Sequence, residues 1–113
     1  MARHILNLME EFDDGRKDPD PDARIVWATC GGVRLASAYI PNGRELGHDH
    51  YHYKLAWLER VRKHLELNHS QDERIALLGD FNVAPEDRDV WDIAAFRGAT
   101  HVSEPEREAF RNI

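Results

Sequence analysis

Two polar residues directly follow a short apolar run in the second half of the chain. The run is "IALLG", residues 75–79, and the next residues are Asp80, Phe81 and Asn82. A carboxylate at this point can bind a divalent cation or move a proton. A nearby carboxamide can donate to a phosphate oxygen without adding negative charge. The pair therefore suits a phosphodiester, although Asp and Asn are also common in plain strand-to-loop turns.

Two further clusters could do chemistry. Tyr39 ends the run "VRLASAY" and Asn42 follows it, so a phenol and an amide could also reach a phosphate there. Tyr at a strand end is more often packing, and Asn-Gly is more often only a turn. His48, His50 and His52 resemble transition-metal ligands, but too few ligands are present for a closed zinc site. A solvated loop is the favoured interpretation of this histidine segment.

Three strands and two helices are expected to position these residues. Gly31 and Gly32 predict a hairpin turn between strands at 25–29 and 33–40. Apolar residues at steps of three or four predict a helix over 51–69, with the stripe Tyr51, Leu55, Leu58, Val61 and Leu65. The run 75–79 is typical of a strand buried on both faces. Ser103 and Glu106 form a capping-box pattern that starts a helix near Glu104.

The geometry of these strands predicts one shared rim. The strands at 33–40 and 75–79 should end at the same edge of the sheet, which brings Asp80 close to Tyr39. Residues i and i+2 of a strand point the same way, so Asp80 and Asn82 should emerge together. Phe81 between them should then turn back toward the core.

The composition limits which classes of protein are possible. The 113 residues are enough for one small domain, and 42% hydrophobic with 32% charged residues indicates a folded globular chain. A net charge of -6 argues against a general basic nucleic-acid wrapper, but not against a nuclease that binds cations. The single Cys30 suits a reducing compartment, and no apolar run reaches membrane-spanning length. A cytoplasmic protein with no membrane partner is expected.

Four segments together form a family pattern. "SAYIPNGRE", "YKLAWLERVRKHL", "LLGDFNVAPEDRDVWD" and "GATHVSEPER" occur in the order and spacing typical of bacterial exonuclease III. The chain thus resembles this family, which is part of the endonuclease/exonuclease/phosphatase superfamily, from about residue 24 to 111. The resemblance implies an α/β chain that forms part of a DNase I-like four-layer α/β/β/α sandwich. Residues 1–113 would be a single partial domain, with 1–23 a poorly matched segment and acidic loop, and 24–113 the family-like core.

The resemblance also implies an activity, namely hydrolysis of DNA phosphodiesters with Mg²⁺ or Mn²⁺ in base excision repair. The substrate would be duplex DNA with an abasic site or a 3′ end. Tyr39 would lie near the scissile phosphate, and Asp80 would activate water or protonate the leaving oxygen. Asn82 would stabilise the pentacovalent phosphorus, and Asp80 and Asn82 would line the metal site. Asn42 and Lys54 would bind the substrate, with Lys54 near the DNA backbone.

The sequence also departs from the family pattern. It shows no match to the family's early asparagine and metal-binding glutamate, nor to its closing aspartate and Asp-His pair. We therefore expect a nuclease segment, from a gene fragment, a split product or a partial gene call, whose activity alone is impaired and which needs a complementary chain. Two alternatives stay open: a non-catalytic fragment or interaction module, and a phosphatase or phosphodiesterase of the same superfamily. The helix over 51–69 and the loop after Asn82 favour DNA over a phospholipid or inositol phosphate.

Overall fold

The structure, a computed structural model, describes residues 24–113. Their elements, in chain order, are β1 (Ile25–Cys30), β2 (Val33–Tyr39), α1 (Asp49–Asn68), β3 (Ile75–Asp80), two short 3₁₀ helices (Asp87–Asp89 and Ile93–Phe96) and α2 (Glu104–Arg111). The sheet order is β1-β2-β3, with β1 antiparallel and β3 parallel to β2. The predicted α/β class is confirmed, and the expected acidic loop within 1–23 lies outside the described residues.

The β1-β2 hairpin is confirmed. Gly31 and Gly32 have φ angles of +55° and +80°, and two successive positive φ values are what a two-residue hairpin turn requires. The register pairs Trp27 with Ala36, and both side chains are buried on the same face of the sheet. This face carries the core.

Helix α1 connects the two parallel strands and covers this face. Parallel strands need a crossover, and α1 provides it. Trp57, Leu58 and Val61 pack against Ala38 and Ile40 in the buried cluster. The helix begins two residues earlier than predicted. The buried stripe also differs, because Lys54 is fully buried whereas Leu55 is only half-buried.

Helix α2 lies beside α1 and begins where the capping pattern predicts. The Ser103 side chain accepts from the backbone of Glu106, and the Glu106 side chain accepts from the Ser103 backbone N–H. The ring of Phe110 meets Phe81 edge to face at 5.4 Å between centroids, so Phe81 does turn toward the core as predicted. Neither helix of the described part is long and apolar enough to cross a membrane.

The end of β3 lies unusually close to β2. A Cβ atom on Gly79 would lie 1.9 Å from the carbonyl oxygen of Ala38, so only glycine allows this approach of the two backbones. The register then pairs Tyr39 with Asp80. The predicted proximity of these two residues at one rim is confirmed.

The prediction that β3 is buried on both faces is wrong. Leu77 packs against the core, but Leu78 points to the other face and is 54% exposed. Val26 of β1, on that same face, is 40% exposed. The strand order makes β3 an edge strand. Among residues 24–113 the helices cover only one side of the sheet, so the other apolar side is uncovered. We call this face, formed by Val26, Ala28, Leu35, Ala76 and Leu78, the open face.

The open face generates a prediction about association. Exposed apolar surfaces of this kind often mark protein–protein interfaces, so we expect the chain to self-associate. Its Tm should then rise with protein concentration. The double variant Val26→Thr/Leu78→Thr should weaken this association by at least about tenfold, equivalent to about 1.4 kcal/mol. Sedimentation equilibrium measures it. The control is Leu67→Gln, at a leucine that is 64% exposed in the last turn of α1 and away from the sheet. Equal association in all three proteins would contradict the prediction.

Candidate active site

Two chain segments are joined at the rim where β2 and β3 end. The backbone N–H of Ile40 donates to the carbonyl of Asp80 at 2.9 Å. In return, the Asn82 side-chain Nδ2 donates to the carbonyl of Ile40 at 2.8 Å. These bonds continue the sheet contact beyond the strands and fix the two exits to each other.

Asp80 and Asn82 are adjacent, but not for the reason expected. Asn82 is not in an extended conformation: its φ is +49°, in the left-handed region that Asn tolerates better than most residues. Its backbone N–H donates to Asp80 Oδ1 at 3.0 Å, which makes a local side-chain turn. The alternation of a strand therefore does not place this pair. The Asp80 side chain is exposed, and its Oδ2 has no hydrogen-bond partner among the described residues.

Tyr39 and Asn42 lie on the β2 side of the rim. Tyr39 is 52% exposed, and the Arg24 guanidinium lies 5.4 Å from its ring centroid. The Asn42 side-chain Oδ1 accepts from the backbone N–H of Arg44 at 3.1 Å, while Arg44 itself is exposed. The structure thus brings four of the predicted residues to one rim, with two arginines nearby that can attract an anion.

Lys54, predicted to contact the DNA backbone, lies beneath the rim instead. Its side chain is fully buried, and its ammonium donates to Glu106 Oε1 at 2.5 Å. It also donates to the backbone carbonyls of Asn82, at 2.5 Å, and Asn42, at 3.3 Å. In this arrangement no part of Lys54 is exposed for a phosphate to contact. The ammonium instead connects both rim segments to helix α2.

The environment of Glu106 favours its carboxylate form, whereas burial lowers the pKa of the Lys54 ammonium below its ordinary value. Burial alone would raise the pKa of the Glu106 carboxyl. The hydrogen bonds from Lys54 and Ser103 outweigh burial and hold the pKa below its ordinary value. Tyr51 extends the network, since its hydroxyl lies 2.8 Å from the Ser103 hydroxyl.

His101 also lies at the rim, although no role was predicted for it from the sequence. Its Nε2 lies 3.1 Å from Asn82 Oδ1 and 3.5 Å from Asn42 Nδ2. Burial, followed by the nearby positive charge of Lys54, lowers its pKa below the ordinary value, so the ring is neutral at pH 7. The signal that could have found it is its place in the family-like segment "GATHVSEPER", but its spacing from Asn82 follows no helix or strand periodicity.

Most acids of the loop after Asn82 have structural partners. Glu86 and Asp89 form a capping box around the first 3₁₀ helix, and Asp92 caps the second by accepting from Ala94 N–H. Asp87 pairs with Arg107 at 2.8 Å. Together with Asp80 these segments line an open cleft of about 400 Å³, which also contacts His101 and Phe96. Asp80 is the acid that directly follows β3 and lies beside Tyr39 and Asn82, whereas Asp89 lines the loop side of the same cleft.

The histidine segment is not a loop, and this expectation is wrong. His48 is the N-cap of α1, and its Nδ1 accepts from the His50 backbone N–H at 3.0 Å. His50 and His52 are two apart on a helix, so they point in different directions. Residues 24–113 contain no group of three or more His, Cys, Asp or Glu that could hold a metal ion.

The rim residues fit a magnesium ion only in part. Mg²⁺ is usually held by one or two carboxylates together with phosphate oxygens and water. Asp80 can supply one such oxygen. The Asn82 carboxamide already accepts from His101 and donates to Ile40, so its role as a metal ligand stays a prediction. The described residues could thus share a cation with a bound phosphate, but they do not enclose one.

Comparisons with known proteins agree with this geometry. No protein-family model matches the sequence. The chain is 30% identical over 96 residues to a Bacillus subtilis exodeoxyribonuclease, a match that covers 85% of this chain and 37% of the relative. The chain therefore spans little more than a third of that relative's length.

Solved structures show the same relationship. An AP endonuclease from Archaeoglobus fulgidus superposes with a TM-score of 0.75 at 30% identity, covering 79% of this chain and 35% of that protein. The 3′ phosphatase NExo from Neisseria, bound to a product DNA hairpin, superposes with a TM-score of 0.73 at 33% identity, covering 82% and 36%. The fold of the matched part is thus similar to the corresponding part of the DNase I-like nucleases. More narrowly, the chain is exonuclease III-like, and the resemblance stated from its motifs is confirmed.

The Lys54–Glu106 pair generates a prediction about stability. Removing one partner leaves an uncompensated buried charge, so Lys54→Met or Glu106→Leu should lower the free energy of unfolding by about 3–5 kcal/mol. The double variant Lys54→Met/Glu106→Leu should recover most of that loss, because no charge then stays buried. Urea unfolding followed by circular dichroism measures all four proteins. A double variant as unstable as the sum of the single variants would refute coupling between these residues.

The lowered pKa of Glu106 generates a pH prediction. A carboxyl whose folded pKa is below its unfolded value of 4.5 stabilises the fold above pH 4.5, and the benefit is lost as the pH falls through the folded value. The difference in unfolding free energy between the natural chain and Glu106→Gln should therefore be constant near neutral pH and shrink below pH 4.5. A difference that stayed constant down to pH about 3 would contradict this assignment.

Proposed function

We propose that this chain provides the phosphate-handling part of an exonuclease III-type DNA nuclease that acts in the cytoplasm. The observation that carries the proposal is the rim itself. Tyr39, Asn42, Asp80 and Asn82 meet where two joined strands end, and the exposed carboxylate of Asp80 is set among neutral donors and nearby arginines. This arrangement suits a phosphodiester, which repels clustered acids.

The proposed roles follow from the contacts. The Tyr39 hydroxyl, half-exposed, donates to a non-bridging phosphate oxygen. The free oxygen of Asp80 takes or returns the proton of the water or leaving oxygen, and it is also the proposed ligand for Mg²⁺ or Mn²⁺. Asn82 Nδ2 uses one hydrogen to bond the Ile40 carbonyl. It donates the other to the phosphoryl group as negative charge develops there. A divalent cation bound beside Asp80 would polarise the phosphoryl oxygen.

The proposed substrate is duplex DNA with an abasic site or a 3′ end. The similar proteins support it through their names, which describe an exodeoxyribonuclease, an AP endonuclease and a 3′ phosphatase with bound DNA. Asn42 and the exposed Arg44 beside it are the proposed backbone contacts. Lys54 is proposed to act on the substrate indirectly, because its ammonium fixes the carbonyls of Asn42 and Asn82.

A non-catalytic role is the second candidate. It is favoured by the open face, an uncovered apolar surface that suits a segment that docks on another chain. The two candidates differ in one respect: only the nuclease segment should restore cleavage when it is combined with the rest of a related enzyme.

The activity prediction follows from the partial site. The 113-residue chain should incise a duplex with one abasic site at background rate, because Asp80 alone does not complete a metal site. A chimera that carries this chain in place of the matched segment of the Bacillus subtilis exodeoxyribonuclease should incise it in Mg²⁺ and not in EDTA. Within the chimera, Asp80→Asn or Asn82→Ala should lower the rate by on the order of 10²–10⁴-fold.

A matched control is available in the turn that precedes β3. Asp72→Asn changes an exposed acid just before β3, at the end of the strand opposite to Asp80, and should leave the rate unchanged. A denaturing gel of the labelled duplex gives the rates. A folded chimera without EDTA-sensitive incision would favour the docking segment, and robust incision by the isolated chain, lost in Asp80→Asn, would show that the described residues suffice.

A further inference from the structure

His101 occupies a backbone position that few residues accept. Its φ is +78°, in the left-handed region, and it lies between the second 3₁₀ helix and α2. Its ring is partly buried against Asn82 on one side and Thr100 on the other. Histidine and asparagine tolerate this region better than most residues. The left-handed turn directs the ring at the rim.

The hydrogen bonds around the ring select one tautomer. Asn82 Nδ2 donates to the Ile40 carbonyl at 2.8 Å, which identifies its other polar atom, Oδ1, as an acceptor. His101 Nε2, 3.1 Å from that oxygen, must therefore carry the hydrogen. In the neutral ring Nδ1 is then an acceptor. The Thr100 hydroxyl is its donor at 2.7 Å, since its other contact, the Arg44 carbonyl, is at the longer distance of 3.5 Å. Asn42 Nδ2, 3.5 Å from Nε2, is not a partner in this arrangement, because both atoms carry hydrogens.

The same bonds fix which way the Asn82 carboxamide points. If the amide were flipped, its NH₂ would face the N–H of His101 and its oxygen would face the Ile40 carbonyl, so both contacts would be repulsive. The Ile40 carbonyl, which can only accept, thus selects this orientation, and the N–H of His101 then holds the Asn82 oxygen in place. In the observed orientation one Nδ2 hydrogen is left without a partner among the described residues.

We propose that His101, held as its Nε2–H tautomer by Thr100, is a positioning residue that orients the Asn82 carboxamide toward the scissile phosphate. This inference rests on the proposed function for the meaning of the free Nδ2 hydrogen. His101 does not touch the reacting atoms; it acts through Asn82. Thr100, which is 5% exposed, acts on His101 in turn, because its hydroxyl selects the tautomer of the ring.

The tautomer is tested first, on the whole 113-residue chain. Long-range ¹H–¹⁵N correlation spectra at pH 8 should show His101 with a protonated Nε2 and an unprotonated Nδ1. Thr100→Val is nearly isosteric but lacks the hydroxyl, so it should shift the two nitrogen signals toward a tautomer mixture, while Thr100→Ser should preserve them. A protonated Nδ1 in the natural chain, or a Thr100→Val spectrum with unchanged ring nitrogens, would overturn the inference.

Orientation of Asn82 is tested next, with a pair of variants at His101. Gln places its Nε2 donor about where the histidine Nε2 lies, so His101→Gln should keep the Asn82 side-chain NH₂ signals close to their natural shifts. His101→Asn tolerates the positive φ equally well, but its side chain is too short to reach Asn82. It should shift the Asn82 signals and speed their hydrogen exchange by at least about tenfold, equivalent to about 1.4 kcal/mol.

The outcome of this comparison is decisive. If His101→Asn, shown to be folded by its backbone spectrum, leaves the Asn82 signals unchanged, or if His101→Gln disturbs them as much as His101→Asn does, His101 is not the positioning residue. Because these spectra do not depend on cleavage, a failure of the proposed function would appear in a different measurement from a failure of this inference.

Discussion

The buried ammonium of Lys54 is the interaction on which the rim depends. Taking an ammonium out of water is costly unless a counter-charge and further acceptors surround it. Glu106 provides the counter-charge, and the carbonyls of Asn42 and Asn82 provide the acceptors. One side chain from α1 thereby joins the segment after β2, the segment after β3 and helix α2. A hydrophobic residue in its place could fill the space, but it could not define where these two carbonyls lie.

This anchoring explains why the rim can hold unusual backbone conformations. Asn82 and His101 both have positive φ angles, and such residues persist only where their surroundings determine them strongly. Asn82 is held by Lys54 at its carbonyl, by Asp80 at its N–H, and by Ile40 and His101 at its side chain. With every other polar group engaged, a single amide hydrogen is left for a ligand. Preorganisation of this kind is what an electrostatic site for a phosphoryl group requires.

The acids near the rim divide into two groups with different physical roles. Glu86, Asp89 and Asp92 cap short helices, and Asp87 pairs with Arg107, so their charges are matched by local donors. Asp80 instead directly follows β3, beside Tyr39 and Asn82, and its bonded oxygen accepts from the Asn82 backbone N–H. An acidic loop beside a site for an anion is therefore less repulsive than its composition suggests.

The open face leaves the sheet packed on one side only. This agrees with a chain that spans little more than a third of the relative it matches.

The sequence by itself determined the elements whose signals are local. The Gly31-Gly32 turn, the helix over α1, the capping box at Ser103 and the pairing of Tyr39 with Asp80 all follow from turn chemistry, periodicity and strand ends. The motifs also determined the resemblance to exonuclease III. Tertiary structure alone decided the rest, because it depends on residues far apart in sequence. From the sequence alone Lys54 would be assigned to the surface, because its buried partner Glu106 lies 52 positions later in the chain. No role could be assigned to His101 from the sequence, because its contact with Asn82, 19 positions earlier, exists only in the folded chain. Leu78 reads as core, yet it is exposed because no element of the described chain packs on its face.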